Sequence, residues 1–260
     1  MALTGYAVAA VTCGAYGLLD GVPEAWVRAL ARRCGAVGSD GLSLKGVLHS
    51  TAVGVGALGV WAAEARLDVV EPARSYGCLP PASSLGWLLP HIELGYALYD
   101  LLSALRLWNW TFAVHGIIAS TMLLLVCGMG VSHHLSRVLV IHLSTVFLHL
   151  RRVDFGSRAN VAIDAAFAFS FVLLRLVLLP WWWVMFLAHA YTTEPSSWGL
   201  CMHGGAVVVA ALLGGGVLHA LNGYWGYLVV TKVSHKLRGG AIRAQDGVGR
   251  DAIESDAKTK

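Results

Sequence analysis

The sequence predicts an all-α integral membrane protein of about seven transmembrane helices, with its N-terminus outside and its C-terminus in the cytoplasm. Three observations lead there. Hydrophobic residues make up 57% of the 260 residues and charged residues only 13%, against about 25% charged in an ordinary soluble domain. The charges are also unevenly placed, since seven of the nineteen Lys and Arg lie between Lys232 and Lys260. What remains falls into apolar runs long enough to cross about 30 Å of hydrocarbon. This composition excludes a disordered chain, a nucleic-acid-binding domain and an ordinary cytosolic enzyme. A soluble fold of this length has too little interior to hide so much apolar surface.

In chain order, the runs cover about residues 3–19, 44–63, 85–105, 110–131, 135–150, 161–189 and 205–231. The first lacks the basic leader of a signal peptide and reads as a span. Next, Pro23–Cys34 sets Trp26, Val27 and Leu30 against Arg28, Arg32 and Arg33, which predicts a short helix lying on the inner surface. The fifth run is the shortest and carries His142, Ser144, Thr145 and His149. The sixth is expected to kink or break at Pro180, ahead of Trp181, Trp182 and Trp183, whose rings suit the membrane–water interface. Glycines inside the runs (Gly54, Gly56, Gly59; Gly128, Gly130; Gly214–Gly216) predict close helix packing. The end of the chain, with glycines among mixed charges, reads as disordered. The chain thus divides into residues 1–39, a membrane domain over 40–236 and a polar tail over 237–260. With seven spans and the N-terminus outside, fifteen of the nineteen cations face inward, as the positive-inside rule requires.

Polar residues at membrane depth are costly without a partner, so each is a functional candidate. Glu93 and Asp100 lie seven apart in the third run, and His142 and His149 seven apart in the fifth. His115 sits in the fourth run, Asp164 and Arg175 lie three turns apart in the sixth, and His219, Asn222 and Trp225 share a face of the seventh. One reading has these groups pair with one another, Arg175 held by Asp100 or Glu93 and His219 and Asn222 bonding between helices. Another has them line a polar interior. Asp164 also reads as a solvated helix end. No metal site and no cofactor is expected. Five cysteines lack zinc-ligand spacing, and eleven histidines give only the adjacent pair His133-His134, without an HxxHH box. A Cys78–Cys201 disulfide between outside loops is an option. Lys232 stands at a helix end, where it would snorkel rather than carry a Schiff base.

The stretches Gly95–Leu102 (GYALYDLL), Phe112–Ser120 (FAVHGIIAS) and His142–Arg152 (HLSTVFLHLRR) together resemble the TLC family (TRAM, Lag and CLN proteins), most closely its transmembrane protein 56 branch. Arg175 with Pro180, Thr193-Glu194-Pro195, and Asn222 with Trp225 add to the likeness, which covers roughly residues 40–236. The resemblance implies a bundle of six to eight helices around a lipid-sized cavity. It implies membrane lipid as partner, with membrane-protein partners or a second copy of the chain also open, and no nucleic acid. The endoplasmic reticulum or Golgi membrane is expected over the plasma membrane. Ceramide synthases in this family are acyl-CoA-dependent N-acyltransferases using a histidine pair and two aspartates. Here His115 is followed by Gly116, and no long motif with two aspartates is visible. The expected function is therefore lipid binding or handling without ceramide synthase activity. Its candidate residues are Glu93, Tyr96, Asp100, His115, His142, Ser144, His149, Arg175, His219, Asn222 and Trp225. Two alternatives stand beside it. One is an acyltransferase with acyl-CoA as substrate, His115 as base or nucleophile and Asp100 orienting it; the other is a structural subunit of a membrane assembly.

Overall fold

A computed structural model describes residues 2–34, 44–70, 84–128, 133–192 and 208–233, and these form helices with no strand among them. Helix α1 spans Ala2–Leu19, α2 Glu24–Arg33, α3 Leu44–Val70, α4 Ser84–Arg106 and α5 Trp110–Gly128. The short α6 (His133–Ser136) leads through a 3-10 turn, Val138–Ile141, into α7, His142–Leu150. Helix α8 (Ser157–Phe171), a π-helical segment (Val172–Leu178) and α9 (Leu179–Thr192) run on without a break. Helix α10 covers Val208–Val233. The Cys78–Cys201 option, Thr193-Glu194-Pro195 and the polar tail lie outside the described residues, as do the side chains of His133 and His134.

Helix α4 sits at the centre, with ten of its residues buried, among them Glu93, Gly95 and Tyr99. Its glycine makes the central place available. A Cβ at Gly95 would lie 2.4 Å from the carbonyl oxygen of Ala9 on α1, so α1 can approach closely only because that position is bare. On one side Leu94 and Ala97 pack with Ala9, Leu123 and Cys127 of α1 and α5. On the other, Leu89 joins Val53, Ala57 and Val60 of α3 and Leu139 and Val140 of the 3-10 turn. Helix α10 leans on α5 and on the α8–α9 rod, Gly214 against Met122, Gly215 against Trp183 and Gly226 against Leu176. By contrast, Gly59 and Gly216 face open space, so not every glycine expected at a helix contact makes one.

The turn between α4 and α5 is built from three residues. The amide of Asn109 bonds the Ala104 carbonyl and that of Trp108 bonds the Leu105 carbonyl, the Schellman pattern that ends a helix. Trp108 takes the left-handed position at φ 53, where glycine is usual. The Asn109 side chain then accepts from the Phe112 amide and opens α5. So short a link makes α4 and α5 antiparallel neighbours.

Among the described residues, four helices are long and apolar enough to cross a membrane: Lys45–Ala63, Trp110–Gly128, Ser157–Ala188 and Val208–Val233. Shorter apolar helices cover Thr4–Leu19 and Val138–Leu150. Helix α4 has the length, but Pro90, His91, Glu93 and Asp100 make it more polar than a lipid-facing span, in keeping with a helix wrapped by its neighbours. Of the kink or break expected at Pro180, the break does not occur. Proline there has no N–H to give and its ring crowds the carbonyl four residues back. The rod absorbs this by widening into the π-helical segment just before it, and stays continuous.

One end of the bundle is rich in polar contacts. Lys45 at the start of α3 meets Asp20 after α1 and the Tyr99 hydroxyl of α4. Ala31 of α2 is buried against Val153, with Phe155 alongside, in the turn after α7. In that turn the Asp154 carboxylate accepts from the Gly156 amide and the Asn160 side chain, which together hold its carboxyl below the usual range. Asp164 pairs with Arg151, whose guanidinium also lies 4.7 Å from the Phe167 ring. It therefore serves as a helix–helix link rather than as a solvated end.

Candidate functional site

Two polar centres occupy the interior, and α7 belongs to both. The first is acidic. Glu93 projects from α4 between His49 of α3 and His142 of α7. Its Oε2 lies 2.8 Å from His49 Nε2 and 3.1 Å from His142 Nε2. All three side chains are buried. The Tyr16 hydroxyl of α1 stands 2.6 Å from His49 Nδ1, so the ring's two nitrogens have fixed and different partners. Tyr96, one turn after Glu93, stacks flat on the His49 imidazole with centroids 3.7 Å apart. The His142 ring meets His49 edge-on at 5.2 Å. Four helices thus converge on one carboxylate, which has no Lys or Arg partner among the described residues.

The second centre is basic. Arg175 lies in the π-helical segment, and each nitrogen of its guanidinium reaches a neutral acceptor. Nε donates to Ser144 Oγ at 2.9 Å, Nη2 to Thr145 Oγ1 at 2.8 Å and Nη1 to Asn222 Oδ1 at 3.2 Å. Ser144 gives its own proton to the Ile141 carbonyl, which turns its lone pairs toward Arg175. Asn222 is 3% exposed and brings α10 into the contact. A guanidinium has five N–H donors, so two have no protein acceptor among the described residues. The expected pairing of Arg175 with Glu93 or Asp100 does not occur. Glu93 is taken by histidines, and no ion pair or hydrogen bond joins Asp100 to any described residue.

The other candidates are placed around these centres. Asp100 shares the α4 face of Glu93 and Tyr96. His115 on α5 is edge-on to Trp225 at 5.3 Å, Phe112 stacks on the same indole, and its Nδ1 is enclosed without a partner. No hydrogen bond links His115 to Asp100. The base-and-orienter pair of the acyltransferase alternative is therefore not assembled. His149 rests on α3 at Gly46, where a Cβ would lie 2.3 Å from its Nε2, and neither ring nitrogen has a partner among the described residues. His219 is apart from both centres and tilts on Trp183 at 4.8 Å. Asn222, one turn on, makes the expected bond between helices, to Arg175.

Sequence reasoning missed His49 and Tyr16. His49 stands inside the second apolar run, so the rule that singled out His142 would have found it. Tyr16 gave no such signal, because a tyrosine in a span is ordinary until a partner for its hydroxyl is known. His91 was also missed and is structural: its Nδ1 lies 2.8 Å from the Trp87 carbonyl oxygen and its ring fills the space beside Gly5.

Comparison with known proteins adds one finding. Residues 46–231 match the family model of the TLC domain (TRAM, LAG1 and CLN8). That range holds every residue of both centres except Tyr16. No curated protein and no solved structure matches the chain.

Proposed function

Starting from a chain that belongs to the TLC-domain family, and is thus an integral membrane protein linked to lipid metabolism or sensing, we propose that it binds a membrane lipid through an anionic headgroup held by Arg175. The observation that carries this reading is the guanidinium itself. A cation at membrane depth costs about 2.5–3.5 kcal/mol even on the lenient insertion scale. Ser144, Thr145 and Asn222 orient it but bring no negative charge. Two free N–H donors on a planar group match the two oxygens of a phosphate or carboxylate, which would supply the missing charge. A π-helical segment at the same residue fits a place where helical regularity yields to binding.

The bundle crosses the membrane seven times in this reading, N-terminus outside and C-terminus cytoplasmic, in an endomembrane. Support comes from the gathering of Lys45 and Arg151 with α2 at one end, beside Arg106 and Arg152. The chain handles lipid without acting as a ceramide synthase in this reading, which is supported by a His115 Nδ1 that no described residue bonds.

The test is the lipid content of the full chain purified in mild detergent, read by mass spectrometry. Wild type should retain an anionic lipid at near-stoichiometric level, and the headgroup masses separate phospholipid from fatty acid. Arg175→Gln should lower that lipid about tenfold or more, since a hydrogen bond to a charged group contributes about 1.5–3 kcal/mol. Equal lipid in wild type and variant would overturn the reading.

A further inference from the structure

We propose that His49, Glu93 and His142 form a binding site for one divalent transition-metal ion. The juxtaposition is His49 Nε2, Glu93 Oε2 and His142 Nε2, all within 4.8 Å of one another and drawn from three helices. A tetrahedral ion with bonds of about 2.0–2.2 Å holds its donors about 3.3–3.6 Å apart. The two separations to the carboxylate oxygen, 2.8 and 3.1 Å, need to open by less than an ångström.

Three further features separate this cluster from an incidental contact. The first is charge. Glu93 is buried at membrane depth, and among the described residues it bonds only imidazoles, which carry no fixed positive charge. A divalent cation supplies what the site lacks. The second is orientation. Metal-bound imidazoles are held by a hydrogen bond at the other ring nitrogen. Tyr16 provides this at 2.6 Å from His49 Nδ1, and the stacked Tyr96 fixes the plane of the ring. The third is the donor set. Two histidines and one carboxylate suit zinc or ferrous iron, and three protein ligands leave coordination positions open for exchangeable oxygen ligands. His142 Nδ1, enclosed and unpartnered, marks the less supported side of the site. The inference is independent of the lipid reading, because Arg175 contacts none of the three ligands.

The experiment uses the full chain purified with a tag that contains no histidines and without chelators. Elemental mass spectrometry should find about one equivalent of zinc or iron per chain. His49→Ala and His142→Gln should each reduce it at least tenfold, while Arg175→Gln keeps it. Metal retained in both histidine variants would overturn the proposal. Should those variants not fold, the wild type still decides. After stripping and reloading with cobalt(II), it should show visible ligand-field bands, and zinc should raise its melting temperature. A wild-type protein without bound metal, cobalt bands or a thermal response to zinc would sink the site.

Discussion

The loop-bearing end of the bundle and its interior treat charge in opposite ways. At the end, opposite charges meet directly: Lys45 with Asp20, bridged by Tyr99, and Arg151 with Asp164. Inside, Glu93 and Arg175 both sit on α7's flank and feel each other's charge, yet among the described residues each bonds only neutral groups and they form no ion pair. A bundle that used polar groups only to fix its packing would join the two, because an isolated charge costs more in the interior than at the rim. The contrast is what the two proposals require, an anion at Arg175 and a cation at Glu93. The end charges hold helices together.

Replacing Glu93 should therefore have the largest effect. Glu93→Ala strands two buried histidines and opens a gap between α3, α4 and α7. Each buried imidazole nitrogen left without a partner costs about 1–3 kcal/mol, which thermal melting of the purified protein would register as a drop of several degrees. If Glu93 instead carried an unwelcome charge, its removal would leave stability unchanged or raised. That result would dissolve the contrast between interior and end.

How much of this was legible beforehand follows from what helical spacing encodes. The spacing put Glu93 with Asp100 and His142 with His149 on common faces, and it picked out Arg175, His219 and Asn222 as residues facing inward. Spacing does not say which helices adjoin. Arg175 consequently drew the wrong partners, carboxylates in place of Ser144, Thr145 and Asn222. His219, expected to bond between helices, rests on Trp183, while Asn222 does bond across, to Arg175. The acidic centre was half visible: His49 was within reach of the rule that found His142, whereas Tyr16 matters only once α1 is seen to flank α4. The bare surface at Gly95 lets α1 come that close, and a count of glycines within runs cannot say which of them does so.

A middling effect should come from Tyr16→Phe, which deletes one hydroxyl and leaves the ring contacts with Tyr96 and Tyr99 in place. The loss of its bond to His49 Nδ1 should cost about 0.5–1.5 kcal/mol. The same variant sharpens the comparison through metal content. A ligand histidine without its supporting hydrogen bond typically loses 10–100-fold in affinity, so Tyr16→Phe should need more zinc for the same thermal response. An unchanged zinc titration would assign Tyr16 to packing alone.

The smallest effect belongs to the end of the bundle and carries a sign that can be checked. Partial burial works to raise the Asp20 carboxyl, but hydrogen bonds from Lys45 and Tyr99 outweigh it and hold the group below its ordinary value. A carboxyl depressed by folding stabilises the protein above its unfolded pKa, about 3.9, and that contribution fades as pH falls through the folded value. Because Asp20 is half exposed, the contribution is under about 1 kcal/mol. The melting temperatures of wild type and Asp20→Asn should differ slightly at pH 7 and converge below about pH 4. A difference that stays constant across that range would mean the end pairs are as indifferent to charge as the interior is sensitive to it.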